Sequence, residues 1–171
     1  MILLLVACAP EPEAAFDYEP LSMLLGVADD ATPEEGDAQL FLVDGEVGCE
    51  LFEDAHSRDE AAVWEHLEGM QGHLLELWWF NGDPDNEEPL WGPWGGAWPA
   101  DGYEDEYGNW ITPWRFVNAW RIYPEGFWAR EGQVYALEIT QIGDKVVGNY
   151  EIGEMVGEFR AEHCGAFEAG D

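Results

Sequence analysis

Positive charge is nearly missing from this chain. Among 171 residues there are six Lys and Arg, Lys145 being the single lysine, against 37 Asp and Glu, for a formal net charge of -31. So acidic a polypeptide repels phosphate backbones and anionic lipid, which argues against nucleic acid or an anionic membrane surface as partner. The charge suits solubility in salty or cation-rich surroundings, where repulsion is screened over about 10 Å or less; a surface made for a basic partner is the alternative. Long apolar runs are also lacking: nothing approaches the ~20 residues that a membrane-spanning helix needs. There is no Gly-x-Ser-x-Gly nucleophile turn. Gly92, Gly95 and Gly96 lie among tryptophans without the lysine of a phosphate-cradling loop. No internal repeat is present. These absences leave no cofactor to expect and no catalytic motif on which to rest an enzyme.

Aromatic residues, by contrast, are plentiful: ten Trp and an aromatic fraction of 14%, within a hydrophobic fraction of 47%. That content excludes wholesale disorder, and the length suits one domain with one core. The strongest pattern runs from Gln133 to Cys164. Tyr135, Leu137 and Ile139 alternate on one face, Gly143-Asp144 supplies a turn, Val146, Tyr150 and Ile152 alternate again, and Met155, Phe159 and Ala161 follow a second turn at Gly153-Glu154. This predicts a three-stranded antiparallel meander. Gly148 and Gly157 interrupt it as bulges or close backbone approaches. A sheet this small needs further strands or a helix to pack against.

Upstream, residues 9–38 carry nine acidic residues, no Lys or Arg, and prolines at 10, 12, 20 and 33, which predicts an extended, flexible acidic spacer. Inside it, Leu21 to Leu25 is an apolar island that docks on the domain or forms a turn of helix. The single β-rich domain is expected over 39–171. Leu40 to Val43, Asp44-Gly45 and Glu46 to Phe52 read as a hairpin. Ser57 and Glu60 match a capping box for a helix over about 58–68, with Ala61, Trp64 and Leu67 buried. His73 to Asn81, apolar on nearly both sides, reads as a central strand, and Trp110 to Tyr123 as a strand or strand pair. The expected fold is therefore mainly β: a small antiparallel sandwich or partly open barrel with one helix and a C-terminal meander.

At the N-terminus, Leu5-Val6-Ala7-Cys8 closes an apolar run and is followed by a Pro/Glu stretch. It resembles the lipobox of bacterial lipoproteins, and a start codon upstream of Met1 would account for the missing basic leader. The resemblance implies a signal over residues 1–8, cleavage before Cys8 and acylation of its thiol, with several acyl chains giving stable anchoring to a membrane. Ala9, which is not Asp, leans the expected location toward the outer membrane of a bacterial cell envelope. The end of the chain, from Gly148-Asn149-Tyr150 to Gly157-Glu158-Phe159-Arg160-Ala161-Glu162-His163-Cys164, resembles the closing Gly-x-Phe-x-Ala-x-x-Cys segment of uncharacterised bacterial surface lipoproteins. In those an early cysteine pairs with the last one, which implies a Cys49–Cys164 disulfide and no known activity. In a reducing compartment the same two residues would instead be unpaired buried thiols.

Two constellations suggest ligands. Trp91, Trp94, Trp98 and Trp110, beside Tyr103 and Tyr107, could line a platform on which sugar rings stack. The alternative is a lid of tryptophans folded over the sheet, favoured because little else in the chain covers that face. Asp83, Asp85 and Glu87 offer oxygen ligands of the kind Ca²⁺ prefers, although Pro84 and the wrong positions for Gly and Glu exclude an EF-hand. The four histidines, 56, 66, 73 and 163, are read as structural. The functional expectation is a non-enzymatic envelope lipoprotein that binds glycan or another envelope protein. The rival is an envelope hydrolase using acidic residues of the 82–109 loop.

Overall fold

The computed structural model describes residues 18–167 apart from 29, 33–34, 55–59, 81–89, 91, 95–102, 105–106, 109, 112–113, 126, 131–133 and 153–154. Nine strands among them form one mixed sheet: β1 (Ser22–Ala28), β2 (Glu35–Val43), β3 (Gly72–Phe80), β4 (Gly92–Trp94), β7 (Trp114–Tyr123), β8 (Phe127–Arg130), β9 (Val134–Gln141), β10 (Lys145–Ile152) and β11 (Met155–Phe167). Their order is β4-β9-β10-β11-β1-β2-β3-β7-β8. A separate pair joins β5 (Tyr103–Glu104) to β6 (Trp110–Ile111). Every pairing in the large sheet is antiparallel except that of β1 with β11, which run parallel. The sheet curls until β7 approaches β4 and β9, so the fold is mainly β and takes the form of a partly open barrel.

The curl separates two buried layers. The concave interior gathers Leu25, Leu40, Leu75, Leu77, Trp79, Val117, Leu137, Ile139, Val146 and Phe159, drawn from both halves of the sheet. Trp79 on β3 meets Trp94 on β4 edge to face at 6.2 Å between ring centroids, across the barrel rather than along a ladder. The convex face of β1, β2, β3 and β7 is covered over part of its length by two short helices, α1 (Glu50–Asp54) and α2 (Glu60–Leu67). Leu51, Phe52, Val63 and Leu67 from these helices pack on Leu24, Phe41, Leu74 and Ile122.

The C-terminal meander folds as its alternation predicts. Leu137, Ile139, Val146, Phe159 and Ala161 point inward, while Glu138, Glu158, Arg160 and Glu162 face solvent. Gly148 sits at a register shift between β9 and β10. A side chain there would overlap the Glu138 carbonyl and come within 2.5 Å of the Phe159 ring, so this is both the bulge and the close approach. Gly157 likewise makes room for Tyr150, whose hydroxyl lies 2.7 Å from where a Cβ would stand.

Three expectations need correction. The expected spacer contains β1 and the start of β2, and the folded domain therefore begins well before Gln39. The apolar island docks as a strand, between β2 and β11, with Leu24 and Leu25 buried on opposite faces. Averaging over 30 residues hid it, because the acidic positions 29, 30 and 34 fall between two strands whose own residues are apolar enough to be buried. The hairpin expected at Asp44-Gly45 does not form either. Asp44 continues the β2–β3 ladder instead, its N–H donating to the Gln71 carbonyl at 3.0 Å while its carboxylate accepts from the Gln71 N–H at 2.9 Å. The expected return strand is α1, in which neighbouring Leu51 and Phe52 are both buried, a pattern that strand alternation cannot give. There are accordingly two helices among the described residues rather than one. α2 lies within the predicted span and buries Val63 and Leu67 one turn apart; the capping Ser57 lies outside the described residues.

Replacing Gly148 by Ala should destabilise the protein by about 1–3 kcal/mol, the range for overpacking a tight site, despite the smaller gain from stiffening the unfolded chain. Urea unfolding of the variant beside the parent checks this; equal midpoints would show that the neighbouring ring and carbonyl yield freely.

Candidate functional site

A covalent clasp fixes the layer beside which the site lies. Cys49, just before α1, is disulfide-bonded to Cys164 on β11, with Cα atoms 5.2 Å apart and a sequence separation of 115. α1 is thereby held against β11 and β1. The Phe52 ring lies over Gly26, where a Cβ would come within 2.6 Å of it, and meets Phe41 edge to face at 5.6 Å.

Of the tryptophans weighed as a sugar platform, Trp94 does not lie on the surface. Trp94 is 2% exposed and belongs to the concave core, its indole N–H donating to the Leu90 carbonyl at 3.0 Å. No sugar can stack on it, and its place is the one the lid alternative describes. Trp110 opens β6 and Tyr107 is exposed. Trp91 and Trp98 lie outside the described residues, as do Cys8 and the whole lipobox, and the Ca²⁺ candidates Asp83, Asp85 and Glu87. Among the described residues, no group of three or more His, Cys, Asp or Glu could hold a metal ion.

At one end of the concave face, β3 and its neighbours align Leu42, His73 and Arg121 in a row. His73 is 1% exposed. Tyr18 stacks on its imidazole at 5.9 Å, with the phenol oxygen 2.8 Å from Nδ1 and donating to the Leu42 carbonyl at 3.2 Å. Arg121 lies over the Tyr123 ring, 4.8 Å from its centroid. Burial lowers the His73 pKa from 6.5 to about 4, and the Arg121 charge adds to the effect. A neutral, enclosed and weakly basic imidazole is a structural member of the core rather than a general base.

The convex face offers a more accessible arrangement, beyond the point where the helices stop. Residues directly opposite one another in a ladder share a face, and the registers place Gly26, Gln39, Glu76 and Asn118 in one row. Asp37, Trp78 and Phe116 form the next, on the order of 7 Å away. Phe52 covers the β1 end of the first row. Gln39 and Glu76 are half-buried, and Asn118 is buried on the floor. Trp120, which also packs against the helix layer, donates its indole N–H to the Glu76 carboxylate at 2.8 Å and so fixes its direction. Trp78 is 38% exposed and stands 6.0 Å from Phe116, their planes tilted by 33°. The result is an aromatic shelf beside an oriented carboxylate and two amides.

Compared with protein-family models, curated proteins and solved structures, the chain matches none.

Sequence reasoning did not single out the convex shelf. The signal for the shelf was Trp78 and Glu76 on one face of a strand read as apolar on nearly both sides. It could be recognised only with the register to β2 and β7 in hand.

The His73 environment predicts a pH dependence of stability. Its folded pKa lies below its unfolded one, so between pH 6.5 and about 4 the unfolded chain takes up a proton that the folded one refuses. This contribution is complete above the unfolded value and is lost as the pH falls toward the folded one. Replacing His73 by Gln should cost stability at pH 7, and that cost should shrink by about 2 kcal/mol at pH 5. Urea titrations of both proteins at the two pH values check this; a constant difference would mean that His73 does not resist protonation.

Proposed function

We propose that the protein is an extracytoplasmic lipoprotein, anchored through an acylated Cys8, with a non-enzymatic binding or structural role in the bacterial cell envelope. The observation that carries this reading is the Cys49–Cys164 disulfide. Structural disulfides persist in oxidising compartments and are uncommon where thiols are kept reduced. A bond closing so long a loop contributes about 4–5 kcal/mol in the chain-entropy model, which makes stability depend on the compartment. The lipobox-like Leu5-Val6-Ala7-Cys8 agrees with export. Residues 9–17, between Cys8 and the first described residue, provide a short acidic link from an anchor to the domain. A binding role agrees with the convex shelf, which presents aromatic and polar groups on one face of the sheet.

Expression in a bacterial host, followed by membrane fractionation and intact-mass analysis, tests the reading. The native chain should sediment with membranes and carry a diacylglyceryl-modified Cys8, and Cys8→Ser should release it into the soluble fraction. An unmodified Cys8, or free thiols at Cys49 and Cys164 in protein isolated without reductant, would overturn it. Independently, Cys164→Ser should lower the unfolding free energy by about 4–5 kcal/mol, measured by denaturant titration.

A further inference from the structure

We infer that the convex shelf formed by Trp78, Phe116, Glu76, Gln39, Asn118 and Asp37 is a binding site for a neutral oligosaccharide chain. The inference rests on the binding role proposed above and supplies its ligand class. Three features of the shelf select this chemistry.

The first is the exposed ring. A half-open Trp78 beside Phe116, on a rigid sheet rather than a loop, presents a flat apolar surface at little entropic cost. The apolar face of a sugar ring can lie on it.

The second is the polar row on the order of 7 Å from it. Glu76, oriented by the Trp120 indole, accepts hydrogen bonds through its carboxylate, and a side-chain amide can both donate and accept. Carboxylate beside amide matches vicinal hydroxyls, which also donate and accept. A purely hydrophobic partner would desolvate the Glu76 carboxylate and leave it with the Trp120 N–H as compensation for only one of its oxygens.

The third is charge. Both ionisable groups of the shelf, Asp37 and Glu76, are acidic, and the whole chain carries -31. Phosphorylated, sulfated or uronic-acid-rich polymers are therefore repelled at the site and on approach. A hydroxyl-rich neutral chain is not. A cationic peptide such as an oligolysine would satisfy the charge but has no flat ring face to lie on Trp78, and it is the competing occupant that the test separates.

The test uses the full disulfide-bonded chain in isothermal titration against hexasaccharides of glucose and of N-acetylglucosamine in several linkages. Oligogalacturonate serves as the anionic probe and hexalysine as the cationic one. At least one neutral hexasaccharide should bind, with little change between low and high salt. Trp78→Ala should weaken it roughly tenfold, the loss expected for a central aromatic anchor. Trp78→Tyr should keep most of the affinity, and Glu76→Gln should reduce it without unfolding the protein, as checked by circular dichroism. Binding of no neutral hexasaccharide, or equal binding by Trp78→Ala, would overturn the assignment. So would a Trp78-dependent interaction with hexalysine alone, which would give the surface to a basic protein partner. None of these outcomes bears on Cys8 acylation or on the disulfide, so failure here and failure of the lipoprotein reading are distinguishable.

Discussion

Everything in this fold hangs on β1, the seven-residue strand inserted between β2 and β11. On one side it completes the group β1-β2-β3-β7-β8, and on the other it pairs with the end of the meander β9-β10-β11. Without it the barrel divides into two smaller sheets, each with an exposed apolar edge of the kind that invites mispairing. Its partners explain its composition. Met23, Leu24, Leu25 and Val27 must serve a concave interior and a helix-covered face at once, so the strand reads as a nearly continuous apolar run. β1 and β11 also join early and late parts of the chain, a contact of high sequence separation whose loop-closure cost is large. The disulfide offsets part of it by tying Cys49 to Cys164, close to the same seam.

The two buried layers divide the aromatic residues between them. Among the described residues large rings fill the barrel: Trp79 and Trp94 meet across its interior, and each indole N–H finds a backbone carbonyl, Thr32 for one and Leu90 for the other. That satisfies the polar end of a ring whose body is worth burying. The Lys145–Glu162 pair plays little part in holding the fold. Lys145 and Glu162 approach to 3.7 Å with both side chains about half exposed, a pair of the kind that contributes little. Core and ladders bear the stability while the acidic exterior bears on solubility and partner choice.

What the sequence made legible follows from period and span. In the meander each strand alternates cleanly and each turn is glycine-marked, so strands, faces and even the crowding at Gly148 could be anticipated. The helix at α2 was visible through its Ser57/Glu60 capping box and the spacing of Ala61, Trp64 and Leu67, although Val63 beside Leu67 on the buried face was not singled out, and β3 through its apolar length. β1 was hidden because composition was averaged across a window wider than a strand. α1 was hidden because Asp44-Gly45 is a strong local hairpin signal, overridden by a tertiary partner, Gln71, distant in sequence. The shelf was beyond reach for a similar reason: Asp37, Glu76, Trp78, Phe116 and Asn118 come from three strands, and only register brings them together.

The place where the helix layer ends is itself determined by the clasp. α1 has only five residues, too few to be stable alone, and it is held by Cys49 on one side and by the seating of Phe52 over Gly26 on the other. Gly26 shares its row with Gln39, Glu76 and Asn118. A larger residue at that position would lift the ring. The glycine and the disulfide therefore act together to seat the cover at the β1 end of the polar row. That is how one sheet face can be core along part of its length and an open aromatic surface along the rest.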